Sequence, residues 1–215
     1  MSALLEVRGL TVELPTAEGW VRPVNEVSLS INAGESLGLV GESGSGKTML
    51  SLAMMGLLPP GARVSGEATL GAELPVKKLT ALSEREWREV RGGRIAMIFQ
   101  EPMTSLNPVT RIGAQVEEAI RAHHPQLSSS EVKRKTLESL RLPAIPELEV
   151  RAGQFPHQLS GGLRQRAMIA MALSAGSAAA DRRRADDCAR RYRAKTNSGL
   201  PGPSPPRTST RLALH

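Results

Sequence analysis

Gly41, Glu42, Ser43, Gly44, Ser45, Gly46, Lys47 and Thr48 fit the pattern G-x-x-x-x-G-K-[ST], a spacing that serves phosphate chemistry. The three glycines let the backbone curl until successive N–H groups point inward at phosphate oxygens. Lys47 adds a mobile cation for β- and γ-phosphates, and Thr48 offers a hydroxyl to Mg2+. A second candidate is Gln100, which ends the apolar run Arg94–Phe99 and precedes the strand-breaking pair Glu101-Pro102. There its carboxamide is placed to ligate Mg2+ or to orient a water. A third group, Leu159, Ser160, Gly161, Gly162 and Gln165, opens a stretch where Leu163, Ala167, Ala170 and Met171 recur at helical spacing. Ser160 is the expected N-cap, so free N–H groups and the positive helix end would face an anion. Each feature alone has a plainer reading: a glycine-rich turn, a surface glutamine, a capped core helix. Together and in this order they favour the chemical one.

The elements that must position these residues are legible in outline. Leu5, Val7, Leu10, Val12 and Leu14 nearly alternate, a strand signal, and Val27, Leu29 and Ile31 alternate again after a Pro/Gly-punctuated loop carrying Trp20. Asn32-Ala-Gly34 reads as a turn, and Ser36-Leu-Gly-Leu-Val40 as a short buried strand feeding the glycine loop. Leu50, Ala53, Met54 and Leu57 recur at i, i+3, i+4 and i+7, which puts Lys47 in the first turn of an amphipathic helix expected to end at Pro59-Pro60-Gly61. Arg94–Phe99 is a further buried strand. Ser83 with Glu86 and Ser128 with Glu131 are capping-box pairs. From Val116 to about Leu173 the chain reads as mainly helical, interrupted by Pro125, Pro143, Pro146 and Pro156.

Composition narrows the class. The chain has 215 residues, 40% hydrophobic but only 2% aromatic, so aliphatics, Ala and Met must fill its core. Its net charge of +7 is uneven: from Ser174 to His215 nine Lys or Arg stand against three Asp, leaving the rest near neutral. Bulk charge is therefore no argument for nucleic acid. Cys188 is the single cysteine, so no intrachain disulfide can form. The N-terminus carries Glu6 and Arg8 within its apolar stretch and is not expected to be a signal peptide. The apolar run Ala167–Ala180 is broken by Ser174, Gly176 and Ser177 and is shorter than the ~20 residues of a membrane span. Membrane association is therefore expected to come through a partner.

The three segments resemble the ATP-binding subunits of ABC importers, in particular the oligopeptide/dipeptide/nickel branch. The resemblance runs from about Ala3 to Leu173. It is carried by the glycine loop, by Phe99-Gln-Glu-Pro-Met-Thr-Ser-Leu-Asn-Pro108, and by Phe155-Pro-His-Gln-Leu-Ser-Gly-Gly-Leu-Arg-Gln-Arg-Ala-Met-Ile-Ala-Met-Ala-Leu173. It implies an α/β P-loop ATPase fold with an antiparallel β subdomain and an inserted α-helical subdomain, an ABC ATP-binding domain over residues 1–173. It implies ATP and Mg2+ as cofactors, with Thr48 and Gln100 serving the metal. Two such subunits, identical or related, would pair head to tail. ATP would lie between the Lys47 loop of one and Leu159, Ser160, Gly161, Gly162 and Gln165 of the other. Two membrane permease subunits, and indirectly an extracytoplasmic solute-binding protein, would complete a peptide or nickel importer. The subunit would sit peripherally on the cytoplasmic face of the inner membrane, without a nucleic-acid partner.

Departures from the family follow. It places an aromatic near Leu14 to stack on adenine; Trp20 is the available substitute. Beyond Leu173 the strand with its Mg2+-binding Asp and catalytic Glu, and the later switch His, are missing; His123, His124 and His157 precede the signature and are read as exposed or structural. Residues 174–215 are expected to form a disordered basic tail. Ala179–Lys195, back-translated with suitable codons and read from the second base, allows Leu-Leu-Ile-Ala-Asp-Glu-Pro-Thr-Thr-Ala-Leu-Asp-Val-Thr-Val-Gln, which resembles the family's wording there. One extra nucleotide near Gly176 would produce the tail, so a frameshifted, truncated and hydrolysis-deficient copy is expected. Three alternatives stand beside it: a non-hydrolysing subunit lending its signature to an intact partner, a nucleic-acid-linked ABC protein, and a product without function.

Overall fold

The computed structural model describes residues 3–71, 77–99, 105–176 and 211–214. They fall into two compact units, one of the residues up to Arg88 together with Arg211–Leu214, and one of the residues from Glu89 to Gly176. The first is built on a four-stranded antiparallel sheet. Its strands are β1 (Leu5–Thr16), β2 (Gly19–Ile31), β3 (Arg63–Leu70) and β4 (Lys77–Lys78), in the order β2-β1-β3-β4. In β1 and β2 the expected alternation holds with interruptions. Leu5 and Val7 are buried, the register slips between Val7 and Leu10, and Leu10 and Val12 return to the core side. That extra residue is a β-bulge, which is why the apolar spacing steps from two to three. Strand β3 was not expected: its buried residues Ala68 and Leu70 stand only at its end, and Gly66 interrupts it.

The glycine loop leads into α1 (Lys47–Met54), which lies against β1 and β2 with Leu50, Ser51 and Met54 buried. The helix stops sooner than the prolines suggested. Gly56 takes a left-handed φ of 60°, its N–H bonds to the Ala53 carbonyl, and the Leu57 N–H bonds to Leu52. This is a Schellman cap. No other residue fits, because a Cβ on Gly56 would lie 2.4 Å from the Trp87 indole. A second correction concerns Ser36–Val40, which forms no strand; Leu37, Leu39 and Val40 are 44, 40 and 91% exposed. A short apolar strand is held by ladders on its flanks and layers on its faces. Among the described residues no strand pairs with this segment.

In α2 (Glu84–Val90) the expected box is present: the Ser83 N–H and hydroxyl both donate to Glu86 Oε2, at 2.8 and 2.6 Å. Strand β5 (Ile95–Ile98) follows as expected, with Ile95 and Ala96 buried.

The second unit is mainly helical, with α3 (Ile112–His123), α4 (Ser129–Arg141), α5 (Leu148–Ala152) and α6 (Gly161–Ser174). The helical region thus opens at Ile112, ahead of Val116. A complete capping box starts α4: Ser128 accepts from the Glu131 N–H while the Glu131 carboxylate accepts from the Ser128 N–H. Leu106, Ile112, Val116, Ile120, Val132, Leu140, Ile145, Leu159, Ala167 and Ala170 pack together as its core. The apolar face read from Leu163, Ala167, Ala170 and Met171 is present, but Met168 and Ile169 are buried too, so α6 is enclosed on most sides. Ser174, Ala175 and Gly176, assigned from sequence to the tail, are buried at the end of α6. The rest of the expected tail lies outside the described residues, apart from Arg211–Leu214, which is a short strand, β6, where disorder was expected. Among the described residues no helix is long and apolar enough to cross a membrane.

Candidate functional site

The phosphate-loop residues come together in the first unit. Gly44 and Gly46 take left-handed φ values of 85° and 84°, and the Ser45 N–H closes a turn on the Glu42 carbonyl at 3.2 Å. Gly46 is the N-cap of α1, its carbonyl accepting from the Leu50 N–H. It also passes so close to β2 that a Cβ would stand 1.9 Å from the Pro23 carbonyl oxygen. Lys47 folds back over the loop. Its ammonium donates to the carbonyls of Gly41 at 2.8 Å and Glu42 at 2.6 Å, and to Ser45 Oγ at 2.9 Å.

These residues fit a phosphate group. The ammonium already sits where the loop concentrates oxygen, and a Cβ on Gly41 would fill the concave side, 2.7 Å from Ser45 Oγ. Anionic oxygens entering there would replace neutral acceptors with charged ones, and hydrogen bonds to charged groups are roughly twice as strong. Thr48 lies exposed in the first turn of α1. Gln100 lies outside the described residues. Among the described residues no group of three His, Cys, Asp or Glu is arranged to hold a metal ion.

Trp20 sits at the tip of the β1–β2 hairpin, opposite Pro15 and 45% exposed. The Arg63 guanidinium lies 3.9 Å from its ring centroid, a cation–π contact covering one indole face. Sequence reasoning missed Arg63, since nothing in its neighbourhood marks a partner on another strand. Leu14 pairs with Val21 one step further along the same hairpin.

The second motif takes shape at the start of α6. Ser160 caps the helix by accepting from the Leu163 N–H at 3.4 Å. Leu159 is buried, whereas Ser160, Gly161 and Gly162 are exposed, with nothing within 4 Å of a Cβ placed on either glycine. The positive end of a 14-residue helix therefore opens to solvent behind glycines that admit close approach. Gln165 is half-buried on the next turn.

Arg164, which the sequence analysis passed over, ties the preceding turn to α6. Its Nε donates to the Pro156 carbonyl at 2.7 Å and its Nη2 to the His157 carbonyl at 3.4 Å. His157 is exposed and stacks on Phe155 at a centroid distance of 5.6 Å. His123 and His124, at the end of α3, are half-buried. Burial lowers the pKa of both; for His124 the charges of Lys135 and His123 add to this, and a hydrogen bond with the Ala175 backbone opposes it. The expectation for the three histidines was an exposed or a structural place; His157 is exposed, and His123 and His124 are partly covered.

Comparison with known proteins follows the same lines. Residues 24–179 match the family model described as ABC transporter. The chain is similar to a probable peptide ABC transporter ATP-binding protein, y4tR, of Sinorhizobium fredii. They are 47% identical over 173 residues, covering 80% of this chain and 50% of the relative. It is also similar to the oligopeptide transport ATP-binding protein OppD of Escherichia coli, 44% identical over 171 residues, covering 80% of this chain and 49% of that one. The chain thus spans about half the length of the curated relatives it matches. Among solved structures it resembles the dimeric post-hydrolysis state of the ATP-binding cassette MJ0796 bound to ADP and Pi. There the TM-score is 0.67 at 28% identity, covering 80% of this chain and 69% of that one. A phosphate loop closed by its own lysine, a glycine-flanked helix start, and a match over residues 24–179 agree: this chain belongs to the ABC transporter family.

Proposed function

We propose that this chain is the ATP-binding subunit of an importer for peptides or nickel, and that it works through membrane permease partners. The observation that carries the reading is the Lys47 ammonium held by Gly41, Glu42 and Ser45 at the mouth of a left-handed glycine turn. In this reading Gly41–Thr48 hold the phosphates, with Thr48 and Gln100 serving Mg2+, which when bound screens the phosphate charge. Leu159, Ser160, Gly161, Gly162 and Gln165 serve the ATP of a second ABC subunit, identical or related. A dimeric neighbour bound to ADP and Pi, and relatives named for peptide transport, support it. Its place is the cytoplasmic face of the membrane, with an extracytoplasmic solute-binding protein as an indirect partner and no nucleic acid.

ATP is bound but turned over slowly. In the sequence after α6 the acids are Asp181, Asp186 and Asp187, set close to Arg182, Arg183 and Arg184. Without a general base, turnover falls by roughly 10²–10⁴-fold. Resequencing the codons for Leu173 to Arg184 tests the frameshift: loss of one nucleotide with an emerging Asp-Glu pair supports it, and an unchanged frame refutes it.

The binding reading is tested by equilibrium titration of the full chain with a fluorescent ATP analogue. Removing the charge in Lys47→Ala weakens affinity by about 10–100-fold, the worth of a hydrogen bond to a charged group. Equal affinity in both chains would overturn the proposal. A second reading, a product that does not complete its fold, draws on the exposed Leu37, Leu39 and Val40. Rapid proteolysis around residues 36–40 with no protection by ATP would favour it.

A further inference from the structure

We propose that Gln115 is a positioning residue that makes the loop Leu106–Thr110 and the turn Phe155–Gly162 move as one body. Gln115 is a buried polar side chain, 7% exposed, in the first turn of α3. Its carboxamide is spent on one loop. Oε1 accepts from the Asn107 N–H at 2.9 Å, while Nε2 donates to the Asn107 carbonyl at 3.0 Å and the Thr110 carbonyl at 2.8 Å. Both amide donors and one acceptor are thereby used, in a geometry that neither a leucine nor a carboxylate reproduces. The loop has its own brace, the Asn107 side chain accepting from the Val109 N–H at 3.1 Å. At its tip Val109 is 80% exposed, so a load applied from outside would reach the loop first.

The start of α3 carries the connection onward. The Ile112 N–H donates to the Gln154 carbonyl at 2.9 Å. Gly113 packs against Ala152, whose carbonyl oxygen would be 3.0 Å from an added Cβ. The Arg111 guanidinium lies 5.5 Å from the Phe155 ring centroid. From Phe155 the path runs through Pro156 and His157 to Arg164, and so to the helix start that Ser160 caps. Leu106, Ile112 and Leu159 lie in the same core, so the hydrogen-bonded path is backed by packing. Displacement of Val109 is therefore transmitted to Ser160–Gly162 instead of being absorbed in a flexible loop. The mechanical statement stands apart from the proposed function; its consequence for transport rests on that reading.

Hydrogen exchange on the full chain tests it. In Gln115→Leu the Asn107 amide loses its acceptor and exchanges at least about tenfold faster. If loop and turn are coupled, the amides of Gln158, Leu159 and Arg164 accelerate about fivefold or more, while Val132 in α4 keeps its rate. Acceleration confined to Asn107, or uniform acceleration that includes Val132, would overturn the proposal. Coupling is reciprocal, so Arg164→Leu, made at the far end, must also speed exchange at Asn107. An Asn107 amide unmoved by that change would overturn it independently, even if Gln115→Leu fails to fold. Because no nucleotide is added, failure here is distinguishable from failure of the ATP-binding reading.

Discussion

Replacing Gly46 by alanine separates two physical requirements of the phosphate loop. Gly44 and Gly46 share nearly the same left-handed φ, 85° and 84°, but only Gly46 is crowded. A Cβ on Gly44 meets nothing within 4 Å, whereas on Gly46 it would lie 1.9 Å from the Pro23 carbonyl oxygen. Gly44→Ala therefore carries the conformational cost alone, about 1–2 kcal/mol. Gly46→Ala carries the same cost plus an overlap with backbone that cannot rotate away, and forced packing of that kind adds about 1–3 kcal/mol. The total for Gly46→Ala is about 2–5 kcal/mol, since the two terms add at one residue. Strain can be relieved only by moving the start of α1 or β2, and moving α1 carries Lys47 away from Gly41, Glu42 and Ser45. The assay is urea unfolding of the two variants and the parent, followed by the fluorescence of Trp20 and Trp87, with ATP-analogue titration alongside. Gly46→Ala is expected to lose more stability than Gly44→Ala by about 1–3 kcal/mol and to lose measurable binding. Equal losses, or a Gly46→Ala chain within about 1 kcal/mol of the parent, would refute the reasoning.

Further outcomes concern the helical unit. Leu140 is fully buried among Val116, Ile120, Val132 and Ile145, so Leu140→Ala is expected to cost about 2–5 kcal/mol, read from the helical circular dichroism transition. A loss below about 1 kcal/mol would mean the helices are not packed as described. The lowered pKa values of His123 and His124 make the unfolded chain bind more protons near pH 6, so stability falls as pH drops below the ordinary histidine value, from about 6.5 downward. The His123→Gln/His124→Gln chain is expected to flatten the melting-temperature profile between about pH 7 and 5.5. An unchanged slope would place the acid sensitivity elsewhere.

The residues around the site were legible to different degrees, for identifiable reasons. The glycine loop, the Ser160 cap and both capping boxes are local: their donors and acceptors lie within a few residues, so spacing alone specifies the geometry. The end of α1 was misjudged because prolines in sequence are conspicuous, whereas Gly56 is fixed by Trp87, 31 positions on. Segment Ser36–Val40 was misjudged because an apolar run reports a capacity to be a strand, and realising it needs neighbouring ladders. Arg63 over Trp20 and Gln115 over Asn107 escaped notice because neither residue belongs to a motif; only folding brings their partners within reach.

The sequence by itself determined the order of the glycine loop and the helix-start motif, the helical character of the second half, and the family. All of these rest on short-range chemistry, where residue type and spacing leave few alternatives. Tertiary structure alone decided how tightly Gly46 is gripped by β2 and which faces of α6 are covered. It also decided that Gln115 binds a loop to its helix. Close approach depends on where distant backbone passes, and no local pattern of residues encodes that position.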